Sequence, residues 1–432
     1  MTKTALVIGA GITGVSTAEW LRRDGVIVTL VDRVPPGDPA QTSYGNGGLL
    51  ARCAVIPVSV PGLLAKAPKM LLDPNSPLFM RWGYLPRLLP WLVPFLRNGR
   101  AARVQEIARA LAELTTDSVD QHMLLAKGTG AEKYLRTGEY SYLYRSRAAF
   151  LGDSFGMSLR HACGFTWDER EGGDLRDADP NLSGDYNFAA VFKDHGWITS
   201  PGKHVAALAA HFVKNGGVFR QGKVVDVSNS GVTLQGGEAL TADRTVLATG
   251  VWSKKLSEKL GHRAELESER GYHLVLKNPS HGIPTPYMIT DGKFVATPME
   301  DGIRCAGVVE FGGIDAPAST KPAELLKKGI RQVYPDLQWQ GEEKWMGHRP
   351  STPDSLPMLG TAPKAPNVIF AFGSQHIGLT IGPRLGRMTA DIVLGRQTNI
   401  DLGAYAPDRF DKNNKKITAD RRKDETEQLA VR

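Results

Sequence analysis

The first 32 residues place the strongest constraint on what this chain can fold into. An apolar run, Thr4–Ile8, is followed by the turn GAGITG at 9–14, a helical pattern through Leu21, and a second apolar run that ends in Asp32. In such a unit the first glycine makes the tight turn, the second admits a pyrophosphate and the third allows close helix packing. The helix amino terminus offers unpaired N–H groups to the phosphates. The sequence therefore predicts a Rossmann-like, dinucleotide-binding start.

Asp32 also bears on the kind of dinucleotide. Its carboxylate can accept hydrogen bonds from a ribose hydroxyl pair and would repel a 2′-phosphate, so NADP is disfavoured. Arg33 beside it is a residue type that can accommodate such a phosphate, which keeps that alternative open. NAD and FAD are both compatible with this motif.

Composition argues against several other functions. The formal charge is +8, but the basic residues are scattered and part of the excess lies in the tail from Lys412 to Arg432, so nucleic acid is not an expected partner. The three cysteines are far apart without any CxxC, and the ten histidines form no HExxH-type cluster. We therefore expect neither a disulfide framework nor a metal site, and we expect a reducing, cytoplasmic setting.

One segment, Leu78–Leu96, is rich in leucine and aromatic residues but contains Pro86, Pro90 and Pro94. Prolines at this spacing predict that it does not form one continuous helix. No run of about 18 apolar residues occurs and the amino terminus lacks a signal pattern, so no spanning helix is predicted. Two alternatives stay open for the segment. It covers a buried site, or it dips into a membrane interface and holds the protein peripherally on the inner face of the membrane.

Nucleotide-type elements recur in three separated blocks. The region 201–250 has a second pattern of helix and strands, and 367–396 returns to strand, glycine loop and helix. Short alternating runs separated by Gly and Pro, typical of antiparallel strands, lie between them. We therefore expect an α/β, Rossmann-like nucleotide-binding domain interleaved with an α+β antiparallel-sheet substrate domain. The expected parts are 1–77, 196–264 and 341–410 for the first, 78–195 and 265–340 for the second, and a charged tail at 411–432.

Passages from four parts of the chain resemble the D-amino-acid oxidase (DAO) family of flavoenzymes, which includes glycine oxidase, sarcosine oxidase and bacterial D-amino-acid dehydrogenases. These passages are GAGITG with Asp32, Thr42–Leu49, Leu247–Ser253, and Gly347–Gly360 joined downstream by Phe372–Thr380. The return to a second glycine loop near the carboxyl end implies FAD and not NAD. Within the family, the proline-rich segment and Arg270–Leu274 are most similar to the D-amino-acid dehydrogenases.

The resemblance implies noncovalent FAD, because no attachment cysteine of the sarcosine-oxidase type is evident near Met346. The tip Ser374–His376 departs from the Gly-His-Gly typical of the better-known dehydrogenases, which leaves the substrate and the acceptor open. The positions expected to bind FAD are Gly9, Gly11, Ile12, Thr13, Gly14, Asp32, Arg33, Ser43, Asn46, Gly47, Gly48, Leu49, Val224, Thr249, Gly250, Trp252, Gly347, Gly373, Gln375, His376, Ile377, Gly378, Leu379 and Thr380.

Four residues are candidates for catalysis. Arg349 lies in Gly-x-Arg-Pro, similar to the family's carboxylate-binding arginine, and a guanidinium fork binds a carboxylate bidentately; a structural salt bridge is the alternative. Tyr272 and His273 are candidate donors to the carboxylate or walls of the substrate cavity, unless they only pack in a sheet. His376, in a glycine-flanked loop, is a candidate to stabilise anionic reduced flavin or to help deprotonate the substrate amine.

The resemblance thus implies an FAD-dependent enzyme that oxidises a small amino or imino acid and passes the electrons to a quinone or another acceptor. A D-amino acid or D-proline derivative is favoured as substrate. A glycine- or sarcosine-type oxidase that uses O2 is the nearest alternative. A noncatalytic flavin subunit of a larger electron-transfer complex is a second one, although a scaffold has no need for a carboxylate clamp. The sequence leaves the substrate side chain, the oligomeric state and any partner subunit open.

Overall fold

The structure, a computed structural model, describes residues 2–65, 73 and 76–411, and the strands of this part form three sheets. The strands are β1 Thr4–Ile8, β2 Ile27–Asp32, β3 Leu49–Leu50, β4 Leu78–Met80, β5 Leu135–Tyr144, β6 Asp168–Glu171, β7 Phe188–Ile198, β8 Val218–Gln221, β9 Val224–Ser228, β10 Gly231–Leu234, β11 Ala239–Thr241, β12 Arg244–Leu247, β13 Glu267–Lys277, β14 Tyr287–Ile289, β15 Phe294–Met299, β16 Gly302–Phe311, β17 Gly341–Ser351, β18 Met358–Ala362 and β19 Ala365–Phe372.

Helices pack against these sheets. They are α1 Ile12–Arg23, α2 Leu85–Asn98, α3 Ala101–Thr115, α4 Ser118–Ala126, α5 Arg147–Gly152, α6 Ser154–Ala162, α7 Gly172–Ala178, α8 Pro201–Lys214, α9 Ser253–Lys259, α10 Lys321–Val333 and α11 Gly378–Val393. The largest apolar core lies where α1, α8 and α11 meet the sheet that contains β1.

The six-stranded sheet has the order β18-β19-β12-β1-β2-β8 and is parallel except for β18. Its inner strand β1 is apolar and almost wholly buried, because helices α1, α8 and α11 cover one face, and the three-stranded sheet and α9 pack on the other. Because β12, β1 and β2 run in parallel, their carboxyl ends meet at one edge of the sheet. The Rossmann-like fold predicted from the first 32 residues is confirmed.

Helix α11 lies in close contact with α1 beside this edge. Gly382 and Gly386 of α11 make the approach possible, because a Cβ at Gly382 would lie 2.8 Å from Ile12 and one at Gly386 would lie 2.5 Å from the Ser16 Cβ. The close packing of α11 on α1 brings the loop at 373–377, which precedes α11, beside the glycine turn at 9–14. Two glycine loops that are far apart in sequence therefore share one edge of the sheet.

The ten-stranded sheet has the order β17-β13-β16-β15-β14-β5-β7-β3, with β4 beside β16 and β6 beside β7, and most of its pairs are antiparallel. β13 and β17 pair over their whole length, from Glu267 opposite Ser351 to Lys277 opposite Gly341. Helix α10 covers this sheet with an apolar face that includes Leu326 and Ile330. The long β13–β17 pairing fixes which side chains of the two strands share a face.

The two large sheets are interleaved along the chain, because the six-stranded sheet takes strands from the beginning, the middle and the end of the sequence. Two strands depart from the expected division: β3 and β17 belong to the ten-stranded sheet, although they lie in the ranges 1–77 and 341–410 expected for nucleotide binding. The chain returns to the six-stranded sheet with β18, after Ser351. The expected charged tail at 411–432 lies outside the described residues, apart from Asp411.

The segment Leu78–Leu96 is not one continuous helix, because it begins with β4 and a 3-10 turn at Trp82–Tyr84, but the expectation that its prolines interrupt the helix is wrong. Residues 85–98 form one helix, α2, with Pro86 in its first turn and Pro90 and Pro94 inside it. The spacing of four residues puts the three prolines on one face of α2, and this face is turned mainly to solvent. Water can therefore bind the backbone carbonyl groups that lose an N–H partner because of the prolines. The Asn98 side chain also donates to the Pro94 carbonyl (2.9 Å). The opposite face is buried through Leu88, Trp91 and Phe95.

We predict that Gly14→Ala destabilises the protein by about 3 kcal/mol, because the new Cβ would lie 1.7 Å from the backbone oxygen of Gly9, which cannot move freely. Gly152→Ala in α5 is the matched control, since a Cβ there meets nothing within 4 Å, and it should stabilise the protein slightly. Thermal unfolding of the two purified variants checks this. Equal Tm values for both would contradict the close packing at Gly14.

Candidate functional site

A cavity of about 610 Å³ opens at the carboxyl edge of the six-stranded sheet. This volume lies within the roughly 300–1,000 Å³ that is usual for small-molecule sites. Its walls come from the glycine turn after β1, the loop after β2, the turn after β12 and the loop between β19 and α11. The cavity therefore brings together the sequence passages that were singled out by their motifs.

Gly9 and Gly11 of the first turn are glycines for different structural reasons. Gly9 has a left-handed φ of +103°, and a Cβ there would lie 2.4 Å from the Ala248 oxygen, so close strand packing requires a glycine. At Gly11 an added Cβ would meet only the Ser43 Oγ, at 3.2 Å, and the residue faces the cavity. Gly11 at the N-cap offers no side chain, and Ser43 Oγ accepts from the Ile12 N–H (3.0 Å), so the positive dipole end of α1 remains open to an anion in the cavity.

Asp32 is held by two hydrogen bonds to one of its oxygens. Its Oδ2 accepts from the Ala10 N–H (2.7 Å) and from Gln41 Nε2 (3.0 Å), whereas Oδ1 has only a long contact with the Val34 N–H (3.4 Å). The residue lines the cavity. One oxygen is thus fixed and the other is left for additional donors, which suits a ribose hydroxyl pair.

Arg33 and Trp252 meet across β1. Arg33 follows β2 and Trp252 follows β12, the two strands that flank β1, and the Arg33 guanidinium lies 4.0 Å from the centre of the Trp252 ring. Both residues line the cavity. Because the guanidinium is engaged by an aromatic face, the geometry does not favour its use for a 2′-phosphate.

Most positions expected to bind FAD line the cavity. Those outside its wall are Gly14, Gly47, Gly48, Leu49, Gly347, His376, Ile377 and Thr380. Packing accounts for some of them: a Cβ at Gly347 would lie 2.0 Å from the Trp345 ring, and Thr380 Oγ1 donates to the Leu49 carbonyl (3.0 Å). The roles in FAD binding stay predictions for these eight positions and for those that line the cavity.

The cavity also has wall residues that sequence reasoning missed. They are Gln41, Thr42, Lys223, Lys255, Lys259, Ile314 and Asp315, among others. Local signals were present for some of them, since Gln41 lies two residues before Ser43, and Lys255 and Lys259 are one helical turn apart just after Trp252. Ile314 follows β16 of the other sheet, and no local pattern places it at this cavity.

Gln375 has an unfavourable backbone conformation in the cavity wall. Its φ is +46°, a left-handed value that costs about 1–2 kcal/mol in residues other than glycine. The side chain is buried, its Nε2 donates to the Ser355 carbonyl, and its Oε1 has no hydrogen-bond partner within the described chain. Backbone strain combined with an unpartnered buried oxygen indicates a position shaped for a ligand that brings an N–H or O–H donor.

Arg349 lies over Gly271. The register of β13 and β17 pairs Arg349 with Glu269. A Cβ at Gly271 would lie 2.4 Å from the Arg349 Nε, so the absence of a side chain at Gly271 makes room for the guanidinium. Across residues 2–65, 73 and 76–411, no carboxylate lies within 4 Å of this guanidinium and no protein acceptor binds it. Burial lowers the pKa of Arg349 and raises the pKa of Glu269, while the attraction between the two opposes both shifts. A half-buried cation without an ion-pair partner lowers stability unless a ligand supplies the anion.

His376 belongs to the same region. It lies in the 3-10 turn Gln375–Ile377, and a bridge between Ser351 and Ser374 ties this loop to the end of β17. His376 is exposed to solvent, but the protein atoms around its ring and the positive charge of Arg349 lower the pKa of His376 below its ordinary value. The imidazole is therefore neutral at pH 7. It can accept a hydrogen bond from an ammonium group, but it supplies no positive charge to an anionic flavin.

Tyr272 is directed away from Arg349. Its hydroxyl donates to Glu310 Oε2 (2.5 Å), and the same oxygen is ion-paired with Arg270 (2.9 Å). Since neighbouring residues of a strand point to opposite faces, Tyr272 lies on the face opposite Gly271 and Arg349. The geometry therefore gives no support to the predicted contact between Tyr272 and a substrate carboxylate.

His273 shares the face of Arg349 but has other contacts. Its Nδ1 lies 2.9 Å from the Gly45 carbonyl oxygen, and its ring stacks on Trp345 with centroids 5.1 Å apart. Burial lowers the pKa of His273 to about 3, so the ring is neutral and donates to that carbonyl. These contacts hold the loop at 42–48 against the ten-stranded sheet, which suits a positioning residue better than a substrate contact.

The fold and the cavity together define a dinucleotide-binding protein with a second sheet beside the dinucleotide site. The sequence model of the DAO family, described as FAD dependent oxidoreductase, matches residues 4–392. The chain therefore belongs to the DAO family of FAD-dependent oxidoreductases, and its cofactor is FAD.

Individual relatives agree with this assignment. The chain is 37% identical over 414 residues to a D-amino-acid oxidase from Bradyrhizobium diazoefficiens, an alignment that covers 94% of this chain and 98% of the relative. It is 29% identical over 430 residues to a D-amino acid dehydrogenase from Paramagnetospirillum magneticum, with the same coverage. A glycine oxidase of known structure from Geobacillus kaustophilus has a TM-score of 0.70 at 20% identity, over 94% of this chain and 98% of that one. The last likeness shows the fold alone.

The cavity residues fit FAD. The amino terminus of α1 suits the pyrophosphate, and the free oxygen of Asp32 suits the ribose. The unpartnered Oε1 of Gln375 suits an N–H donor of the kind that the flavin ring carries. None of the three cysteines, all of which lie in the described residues, lines the cavity. This supports the expectation of noncovalent FAD.

We predict that Gln375→Gly weakens FAD binding without destabilising the apoprotein. Relief of the left-handed backbone, about 1–2 kcal/mol, should offset the loss of a hydrogen bond worth about 1 kcal/mol. Flavin fluorescence titration measures the Kd for FAD, and thermal unfolding of the apoprotein measures stability. A lower apoprotein Tm with unchanged FAD affinity would mean that Gln375 is structural.

Proposed function

We propose that the protein catalyses the oxidative deamination of a small amino or imino acid, with a D-amino acid favoured. The observation that carries the proposal is the Arg349 guanidinium, which lies over Gly271 without any carboxylate of the described residues within 4 Å. A substrate carboxylate would complete this pair with two parallel N–H···O bonds. Amino and imino acids supply that group together with an amine one carbon away.

The residues of this region have separate roles in the proposal. Arg349 binds the carboxylate through its planar fork and so fixes the orientation of the α-carbon. His376, neutral at pH 7, accepts a hydrogen bond from the substrate ammonium group and favours the loss of its proton. Bound FAD would supply the acceptor for the hydride of the α-carbon. Tyr272 supports the strand through Glu310 and takes no part in binding.

The D configuration is favoured by the relatives. The proteins that are 37% and 29% identical over nearly the whole chain are named as enzymes that act on D-amino acids. Such similarity supports the class of substrate and says nothing of its side chain. A D-proline derivative stays within the same chemistry, because its secondary amine lies next to the same carboxylate.

The electron acceptor is proposed to be a quinone or a similar small acceptor, with O2 as the second candidate. The relative named a dehydrogenase favours the first and the relative named an oxidase favours the second. Initial rates of hydrogen peroxide formation in air, compared with rates of quinone or dye reduction without oxygen, discriminate between them. A peroxide rate that equals the rate of substrate consumption would establish the oxidase.

We predict that Arg349→Ala lowers kcat/KM by about 100-fold or more, because a desolvated, charge-assisted pair is worth roughly 2–5 kcal/mol. Arg349→Lys should recover only part of the loss, since a point charge cannot orient the α-carbon as a fork does. Gly271→Ala keeps the arginine but displaces its guanidinium, so it should also raise KM.

Arg263→Ala, at an exposed arginine between α9 and β13, is the control and should leave kcat/KM unchanged. Each variant is compared at equal flavin content, which we expect to stay near that of the parent. Full activity in a flavin-replete Arg349→Ala protein would exclude the proposed clamp.

We predict that D-amino or D-imino acids bleach the flavin without oxygen, and that the L-enantiomers bleach it at least tenfold more slowly. A panel of both enantiomers, followed by flavin absorbance in a stopped-flow instrument, measures this without any assumption about the acceptor. Simple carboxylates without an α-amine should bind and leave the flavin oxidised. A flavin that no amino or imino acid reduces would support the noncatalytic alternative and overturn the proposal.

A further inference from the structure

The solvent-facing side of α2 is apolar. Trp82, Leu89 and Val93 are 58%, 46% and 43% exposed, and Pro86 and Pro90 are also exposed. Helical spacing places Pro86, Leu89, Pro90 and Val93 on one face, and Trp82 lies in the 3-10 turn just before the helix. We name these five residues the outer stripe. Large exposed apolar side chains grouped in this way indicate an interaction surface.

Positive charge borders the outer stripe. Arg87, Arg97 and Arg100 are exposed, and none of them is ion-paired with a carboxylate of the described residues. The sequence has no Asp or Glu at 74–105. An exposed tryptophan and leucine flanked by unpaired arginines are typical of an element that lies in the interface of an anionic bilayer. Two copies of this chain that faced each other through the stripe would bring like charges together, which disfavours self-association.

The buried side of α2 is attached to the candidate active site. Trp91 Nε1 donates to the carbonyl of Ser351 (3.1 Å), two residues beyond Arg349 on β17. Tyr84, just before α2, donates its hydroxyl to Glu267 (3.0 Å), which pairs with Ser351 across the two strands. These hydrogen bonds make α2 a fixed platform, with the outer stripe on one side and the end of β17 on the other.

We propose that the outer stripe docks the protein on an anionic lipid bilayer, with the arginines at the headgroups and Trp82 and Leu89 in the interface. The docking is shallow, because the carbonyls that lose an N–H partner at Pro90 and Pro94 need water or headgroups around them. No helix of the described residues combines the length and hydropathy needed to cross a bilayer, and α2 lies on the surface in this proposal. Docking turns the β17 end, and thus Arg349, toward the membrane, within reach of a lipid-soluble acceptor.

The test is co-sedimentation of the FAD-loaded full chain with vesicles of phosphatidylcholine alone or with about 30% phosphatidylserine. We expect binding to the anionic vesicles that weakens at about 0.5 M salt. Trp82→Ser/Leu89→Ser should lower the partition coefficient at least tenfold, and Arg87→Gln/Arg97→Gln should lower it by a similar factor. The controls Leu124→Ser/Leu151→Ser and Lys127→Gln/Lys214→Gln change equally exposed residues elsewhere and should bind like the parent.

Three results would overturn the proposal. The first is absence of binding to anionic vesicles. The second is an equal decrease of the partition coefficient in the stripe variants and in their controls. The third is a stripe variant that changes a dimer to a monomer while its vesicle binding stays the same. The last result would assign the outer stripe to contact between two copies. Flavin content and Tm show that each variant is folded. Vesicle binding is measured without substrate, so its failure would leave the proposed oxidation of amino acids untouched.

Discussion

The close approach of the Gly9 backbone to the Ala248 carbonyl is the constraint on which the cofactor cavity depends. A Cβ at Gly9 would lie 2.4 Å from that oxygen, so β1 and β12 can end at the same edge of the sheet only with a glycine at this position. The shared edge then presents the glycine turn, Asp32 and Trp252 to one cavity. Packing of α11 against α1 adds the loop that carries Gln375 and His376.

The ten-stranded sheet supplies the guanidinium that has no ion-pair partner among the described residues. The β13–β17 register sets Arg349 over Gly271, and the bridge between Ser351 and Ser374 ties that strand to the loop of His376. Arg349 and Gln375 both lower the stability of the apoprotein, one as a cation without an ion-pair partner and the other through a left-handed backbone. Under the proposed function both positions would gain partners when a carboxylate and FAD bind, so stability would be sacrificed where ligands restore it.

The Rossmann-like start and the FAD family could be predicted because their determinants are local: glycines, apolar runs and an acid at fixed spacing. The separation of Tyr272 from Arg349 could not, since strand alternation puts Tyr272 opposite Gly271, but only the β13–β17 register puts Arg349 on the Gly271 side. The continuity of α2 was missed because proline was treated as a helix breaker, whereas a spacing of four puts every lost hydrogen bond on the solvent side. Ile314 joins the cavity only through packing between the two sheets.

The central claim is that the unpaired guanidinium of Arg349 awaits a substrate carboxylate. The most direct measurement is a crystal structure of the FAD-loaded protein with a nonoxidisable carboxylate such as benzoate. The account predicts both carboxylate oxygens within about 3 Å of the Arg349 guanidinium, which should still lie over Gly271. A carboxylate bound elsewhere, or an Arg349 that is instead ion-paired with Glu269 in the complex, would contradict it.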